Sequence, residues 1–247
     1  EPLGGGASRL TLESAPGLAI GQAGTALISR LAPAASRKRR AYRVDPERHI
    51  VETDSVRLHL LPQFGGAIDS LEFPDVSLEP VICRAQRDAP PSEAPAGIPL
   101  PGDLTLEDCW GRSITDHLTA EVEYEGPGNS HEIFVPVRCT ISTEFGTIWK
   151  TYRVYLHQPR VDLTFRFQWR DVVPKLFRLG RMILNPSAFD RSTLYCATTN
   201  GSDDVERFAL EGQHVRQDEP QGGGITSRGC LGATEGWLVL GDATRGI

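Results

Sequence analysis

The stretch Val161-Asp162-Leu163-Thr164-Phe165-Arg166-Phe167-Gln168-Trp169-Arg170 decides how this chain is read. Its odd positions are Val, Leu, Phe, Phe and Trp, and its even positions are Asp, Thr, Arg, Gln and Arg. Successive side chains of an extended strand point to opposite faces, so this order sorts large apolar groups from polar ones. Wound as a helix, the same residues would spread round the whole circumference. The expectation is a strand with one face on a core and the other in water.

The same period of two recurs upstream. Val56, Leu58 and Leu60 alternate with Arg57 and His59, and Leu118, Ala120, Val122 and Tyr124 alternate with Thr119, Glu121 and Glu123. Ile133, Val135, Val137, Cys139 and Ile141 share one parity. Further strands are expected at 66–73, 80–83, 147–156, 176–184, 192–197, 205–210 and 235–240. Turn residues separate them, among them Phe64-Gly65-Gly66, Glu144-Phe145-Gly146 and Asn200-Gly201. The stretch 86–103 carries Pro90, Pro91, Pro95, Pro99 and Pro101 and reads as a long surface loop. Composition agrees, since 25 Gly and 18 Pro in 247 residues leave little room for long helices. A strand that is polar on one face must bury the other against a second sheet. The chain therefore reads as all-β, a large two-sheet antiparallel sandwich. A closed barrel would need more even strand spacing.

Residues 1–41 read differently from the rest. They hold Gly4-Gly5-Gly6, an Ala/Gly/Ser/Pro-rich run over 15–36 and the basic cluster Arg37-Lys38-Arg39-Arg40, and together form an N-terminal segment or linker. Leu18-Ala19-Ile20 or Ala26-Leu27-Ile28 would still suit a strand. The sandwich domain then occupies 42–247. It stops directly after the apolar run Trp237-Leu238-Val239-Leu240, so the chain reads as cut from a longer polypeptide, with the sandwich truncated at its C-terminus. A net charge of −6 argues against nucleic acid as a partner, because neutralising phosphates takes a basic face. No run approaches the roughly 20 apolar residues of a membrane-spanning helix, so no membrane partner is expected. Cys83, Cys109, Cys139, Cys196 and Cys230 are widely spaced, with neither a C-x-x-C pair nor a Cys/His cluster. That spacing predicts no zinc site and no disulfide framework, as suits a reducing, cytoplasmic setting. Of 26 basic residues only Lys38, Lys150 and Lys175 are lysines, a skew that fits a GC-rich bacterial genome.

The motifs that carry chemistry are mostly absent: there is no G-x-S-x-G, P-loop, G-x-G-x-x-G or H-E-x-x-H. Six histidines are scattered, and the neighbours His131 and Glu132 would point to opposite faces of a strand. Paired carboxylates are the signature of glycoside chemistry. Glu107-Asp108, Asp203-Asp204 and Glu206 sit beside loops or turns, where they serve either as such a pair or as solvated acids. A flat aromatic ring near a turn suits the apolar face of a sugar. Trp110, in the loop segment Glu107–Gly111, is the expected platform, whereas Trp149 faces outward and Trp169 faces the core.

Several segments then look familiar. His59-Leu-Leu-Pro-Gln-Phe-Gly65-Gly66-Ala-Ile-Asp-Ser-Leu71 resembles the opening hairpin of galactose-mutarotase-like sandwiches. Thr147-Ile-Trp-Lys-Thr-Tyr-Arg-Val-Tyr155 and then Pro159-Arg-Val-Asp-Leu-Thr-Phe-Arg-Phe-Gln-Trp-Arg170 resemble a run in the C-terminal sandwich of family 38 glycoside hydrolases, the retaining α-mannosidases. The strand Lys175–Leu184, the stretch Tyr195–Phe208 and the segment Gly236–Ile247 are similar to later strands of that family's sandwich, in the same order. The resemblance covers residues 42–247. It implies a supersandwich fold and a carbohydrate partner. It also implies a zinc-bearing catalytic barrel with an aspartate nucleophile, located upstream in the parent polypeptide. No residue here matches that barrel, so no catalytic residue and no cofactor are assigned to this chain. On this likeness the loop 199–207 faces the cleft. Asn200, Asp203, Glu206 and Arg207 join Trp110 as candidate substrate-binding residues. The implied function is the sandwich portion of a glycoside hydrolase, shaping the sugar cleft from one side. The alternative is a free-standing sugar-binding or aldose-1-epimerase-like protein, although His131, His157 and Glu206 lie outside recognisable epimerase motifs.

Overall fold

The computed structural model describes residues 7–13, 42–84, 99–126, 133–199, 204–210, 220–221, 225–226 and 236–244. The chain is all-β, and every strand pairing among these residues is antiparallel. It divides into two compact units, Glu1–Asn185 and Pro186–Ile247.

In the first unit the strands are β1 (Ala7–Glu13), β2 (Arg43–Asp45), β3 (Ile50–Glu52), β4 (Arg57–Leu61), β5 (Ala67–Glu72), β6 (Ile82–Cys83), β7 (Leu104–Asp108), β8 (Ser113–Thr115), β9 (Glu121–Tyr124), β10 (Phe134–Thr143), β11 (Gly146–Tyr155), β12 (Arg160–Trp169) and β13 (Pro174–Leu179). They form a five-stranded sheet β1-β12-β11-β10-β9, a second five-stranded sheet β2-β3-β4-β5-β6 and a three-stranded sheet β13-β7-β8. β1 lies inside the Gly/Ala/Pro-rich leading segment and pairs with β12 from Ala7 opposite Arg166 to Glu13 opposite Arg160.

Alternation sets the core. Val161, Leu163, Phe165 and Phe167 of β12 are buried, as are Val135, Val137, Cys139 and Ile141 of β10 and Ile148, Tyr152 and Val154 of β11. The second sheet turns Val51, Leu58, Leu60, Ile68 and Leu71 inward. The two faces meet at close quarters. The Tyr152 hydroxyl donates to the Gly66 carbonyl at 2.7 Å, and a Cβ on Gly66 would stand 2.5 Å from the Cys139 sulfur. Gly66 has φ +66, so a side chain there would be both strained and crowded.

Three expectations change. Alternation puts Asp162 in water, yet it is fully buried, because Arg160 and the Tyr155 hydroxyl converge on its carboxylate from the outer face. Glu107 and Asp108 belong to strand β7 rather than to a loop, and only the residues after them turn. The strand expected over 176–184 ends at Leu179. Beyond it the chain meets β6 through the Cys83 N–H to Ile183 carbonyl bond and an Ile82–Leu184 bridge. Residues 85–98 of the proline-rich stretch lie outside the described residues.

The second unit contains β14 (Leu194–Thr199), β15 (Val205–Ala209), β16 (Pro220–Gln221), β17 (Ile225–Thr226) and β18 (Val239–Asp242). β14 is the central strand between β15 and β18, and β16 pairs with β17. Asp242, nearly fully buried, ties the unit together. It accepts from the Asp190 backbone N–H, from the Thr193 hydroxyl at 2.6 Å and from the Thr244 N–H at 2.8 Å.

Candidate functional site

The outer face of the three-stranded sheet assembles a polar groove. β7 reads Leu-Thr-Leu-Glu-Asp, so Leu104, Leu106 and Asp108 point inward while Thr105 and Glu107 point out. Register then lines up two rows across the sheet: Leu176, Glu107 and Ser113 in one, Arg178, Thr105 and Thr115 in the other. A bulge in β13 between Pro174 and Leu176 leaves Lys175 opposite no residue of β7. Its ammonium reaches sideways to Glu107 at 2.7 Å, and this bond raises the Lys175 pKa. Thr105, Leu106, Glu107, Gly111, Ser113, Leu176 and Arg178 enclose about 210 Å³. Pockets for whole drug-sized ligands run to roughly 300–1,000 Å³, so this one takes the edge of a ligand rather than engulfing it.

One end of the groove is built on Asp108. Its carboxylate is fully buried and accepts from the backbone N–H groups of Trp110 at 3.0 Å and Arg112 at 2.8 Å, and from Arg112 Nε at 2.5 Å. Burial alone would raise the Asp108 pKa, but these donors outweigh it and hold the carboxyl below its usual range. Gly111, with φ +81, completes the turn. The Arg112 guanidinium lies 4.9 Å from the Trp110 ring centre and 4.8 Å from that of Phe145. It also donates to the Asp171 carbonyl at 2.5 Å, from a backbone that Asp171 holds at φ +53. Trp110 itself remains 61% exposed. The turn therefore holds an indole open to solvent on one side of a fixed cation, next in the chain to a residue that lines the groove.

The other predicted site residues fall elsewhere. Asn200 and Asp203 lie outside the described residues. Glu206 and Arg207 belong to β15 and not to a loop, and they point to opposite faces of it. Arg207 is exposed and lies 3.6 Å from the Tyr195 ring centre. Glu206, half-buried, stands opposite Thr198. Trp110 is in the first unit, whereas Glu206 and Arg207 are in the second.

Two histidine–carboxylate pairs escape a sequence reading, because their members are distant along the chain. His59 Nδ1 stands 2.9 Å from Asp69, whose other oxygen takes Arg84 Nε at 2.5 Å. His117 Nε2 stands 3.4 Å from Asp103, which also accepts the Leu100 N–H at 3.0 Å. Burial works to raise both aspartates. Hydrogen bonds from the two histidines and the nearby Arg84 and Arg181 prevail and hold both below the usual carboxylate range. His131, in the neighbouring pair read from the sequence, lies outside the described residues. Among the described residues no group of three or more His, Cys, Asp or Glu is placed to hold a metal ion, and no helix is long and apolar enough to cross a membrane.

A second unforeseen feature is inside the sandwich. Lys150 occupies the inward parity of β11, between Ile148 and Tyr152, and is fully buried against a fully buried Asp116. Cys139 is close enough to feel both charges, and burial pushes its thiol up to about 12. A strand that reads Ile148, Lys150, Tyr152, Val154 on one parity carries this signal in its sequence. The chain matches no family model, no curated protein and no solved structure.

Proposed function

We propose that this chain is the β-sandwich portion of a carbohydrate-active enzyme of the galactose-mutarotase-like kind, similar in character to family 38 glycoside hydrolases. It lays a saccharide along the groove beside Trp110, while the catalytic barrel belongs to the remainder of the parent polypeptide. The observation that carries this reading is the exposed Trp110 indole held beside a groove of hydrogen-bonding side chains. A pyranose ring has one apolar face for such an indole and a rim of hydroxyls for Glu107, Arg178, Ser113 and Thr105. Arg178 contributes donors in a fixed fork and Glu107 is an acceptor. Uncharged oligosaccharides also suit the stretch where the Lys175 and Glu107 charges are paired with each other.

Retention of the chain on arrays of mannose-, glucose- and galactose-terminated oligosaccharides tests the proposal. Trp110→Ala and Arg178→Ala should each weaken retention by about tenfold, with thermal midpoints close to that of the parent. Absence of retention on all three sugar classes, for the chain and for its parent polypeptide, rejects the saccharide assignment.

A further inference from the structure

We propose that Lys150 and Asp116 are joined by an intramolecular isopeptide bond that forms without any other protein. Both side chains are fully buried, and Lys150 Nζ is in contact with Asp116 Oδ2. Neither of those two atoms has a hydrogen bond of acceptable geometry among the described residues. The Phe165 ring is 5.6 Å from the ammonium and is itself buried. A buried ion pair offsets its desolvation only when further hydrogen bonds satisfy the remaining protons and lone pairs, and among the described residues none reaches the Lys150 ammonium. Condensation removes both charges and leaves a neutral amide that suits the apolar surroundings.

The geometry also supplies what the reaction needs. Asp116 Oδ1 accepts the Leu104 backbone N–H at 3.0 Å, within the range of an oxyanion donor. That bond fixes the carboxyl group and turns Oδ2 toward the amine. The Asp116 backbone is held as well, since its carbonyl accepts the Leu118 N–H at 2.7 Å. A proton first passes from the Lys150 ammonium to Oδ2, giving a free amine and a neutral acid. The nitrogen lone pair then adds to Asp116 Cγ, and the Leu104 N–H steadies the negative charge developing on Oδ1. The Cγ–Oδ2 bond breaks, the departing hydroxyl takes a second proton from nitrogen, and one water leaves. Nothing is oxidised or reduced, and holding the reactants in contact replaces a bimolecular encounter.

The intact mass of the full chain, measured after denaturation, tests this. The expected mass is one water below that of the sequence, with the loss mapping to a branched fragment that joins the peptides of Asp116 and Lys150. Lys150→Met and Asp116→Ala should restore the full mass expected for each variant. A folded chain of full sequence mass, or a water loss that maps to other residues, overturns the bond. Since the unsubstituted chain decides, a variant that fails to fold leaves the test intact.

Discussion

Phe165 and Arg166 are neighbours with opposite fates. Phe165 is 1% exposed inside the sandwich, and Arg166 lies on the outer face over the Trp149 ring. Phe165→Ala should lower the stability to urea by about 3–5 kcal/mol, through lost burial and the cavity left behind. Arg166→Ala should stay within about 0.5 kcal/mol. Both residues are legible from alternation alone, because a period of two needs no knowledge of what lies opposite. Lys150 is equally legible by parity, but a charged residue on the core side of a strand has no local explanation. Its partner is 34 positions away (150 − 116), beyond any sequence window. Asp162 escapes for a related reason: Arg160, two residues before it on β12, and the Tyr155 hydroxyl, across the turn from β11, cover its carboxylate, and alternation sees neither contact.

At the scale of elements, alternation finds the long strands within a residue or two and misses several of the short ones. β10, β11 and β12 each span ten residues, enough for several periods of alternation. β2, β3 and β8 have three residues each, too few to carry a pattern. The turn between β10 and β11 depends on Gly146, whose φ of +135 is open to few other residues. A Cβ there would stand 2.0 Å from the Gln168 carbonyl oxygen, on the neighbouring strand. Gly146→Ala should therefore cost at least about 1–3 kcal/mol of strain, with a matching drop in the thermal midpoint. Backbone amides of Thr147 and its β12 neighbours should lose hydrogen-exchange protection before those of β4 and β5. The candidate groove divides in the same way. The Asp-x-Trp-Gly-Arg turn is half visible in the sequence, through Trp110 and Gly111. The rows of Glu107 and Arg178 exist only once register sets β13 beside β7.

For the molecule as a whole, acid should be the sensitive direction. Asp69, Asp103 and Asp108 are all held below the ordinary carboxylate range in the folded chain. Each therefore adds stability that is fully present above an unfolded value of about 4 and is lost as pH falls through the lower folded values. Urea midpoints should fall between about pH 5 and about pH 2, and Asp103→Asn should make that fall shallower. An unchanged slope in this variant would mean that His117 and Arg181 do not act on Asp103 as their distances imply. The exposed indole of Trp110 has an optical consequence. An indole in water emits further to the red than one enclosed by hydrocarbon, and dissolved iodide reaches it freely. The chain thus carries its own reporter at the mouth of the groove: a ligand lying on that ring would shift the emission to the blue and shield it from the quencher, with no dye attached.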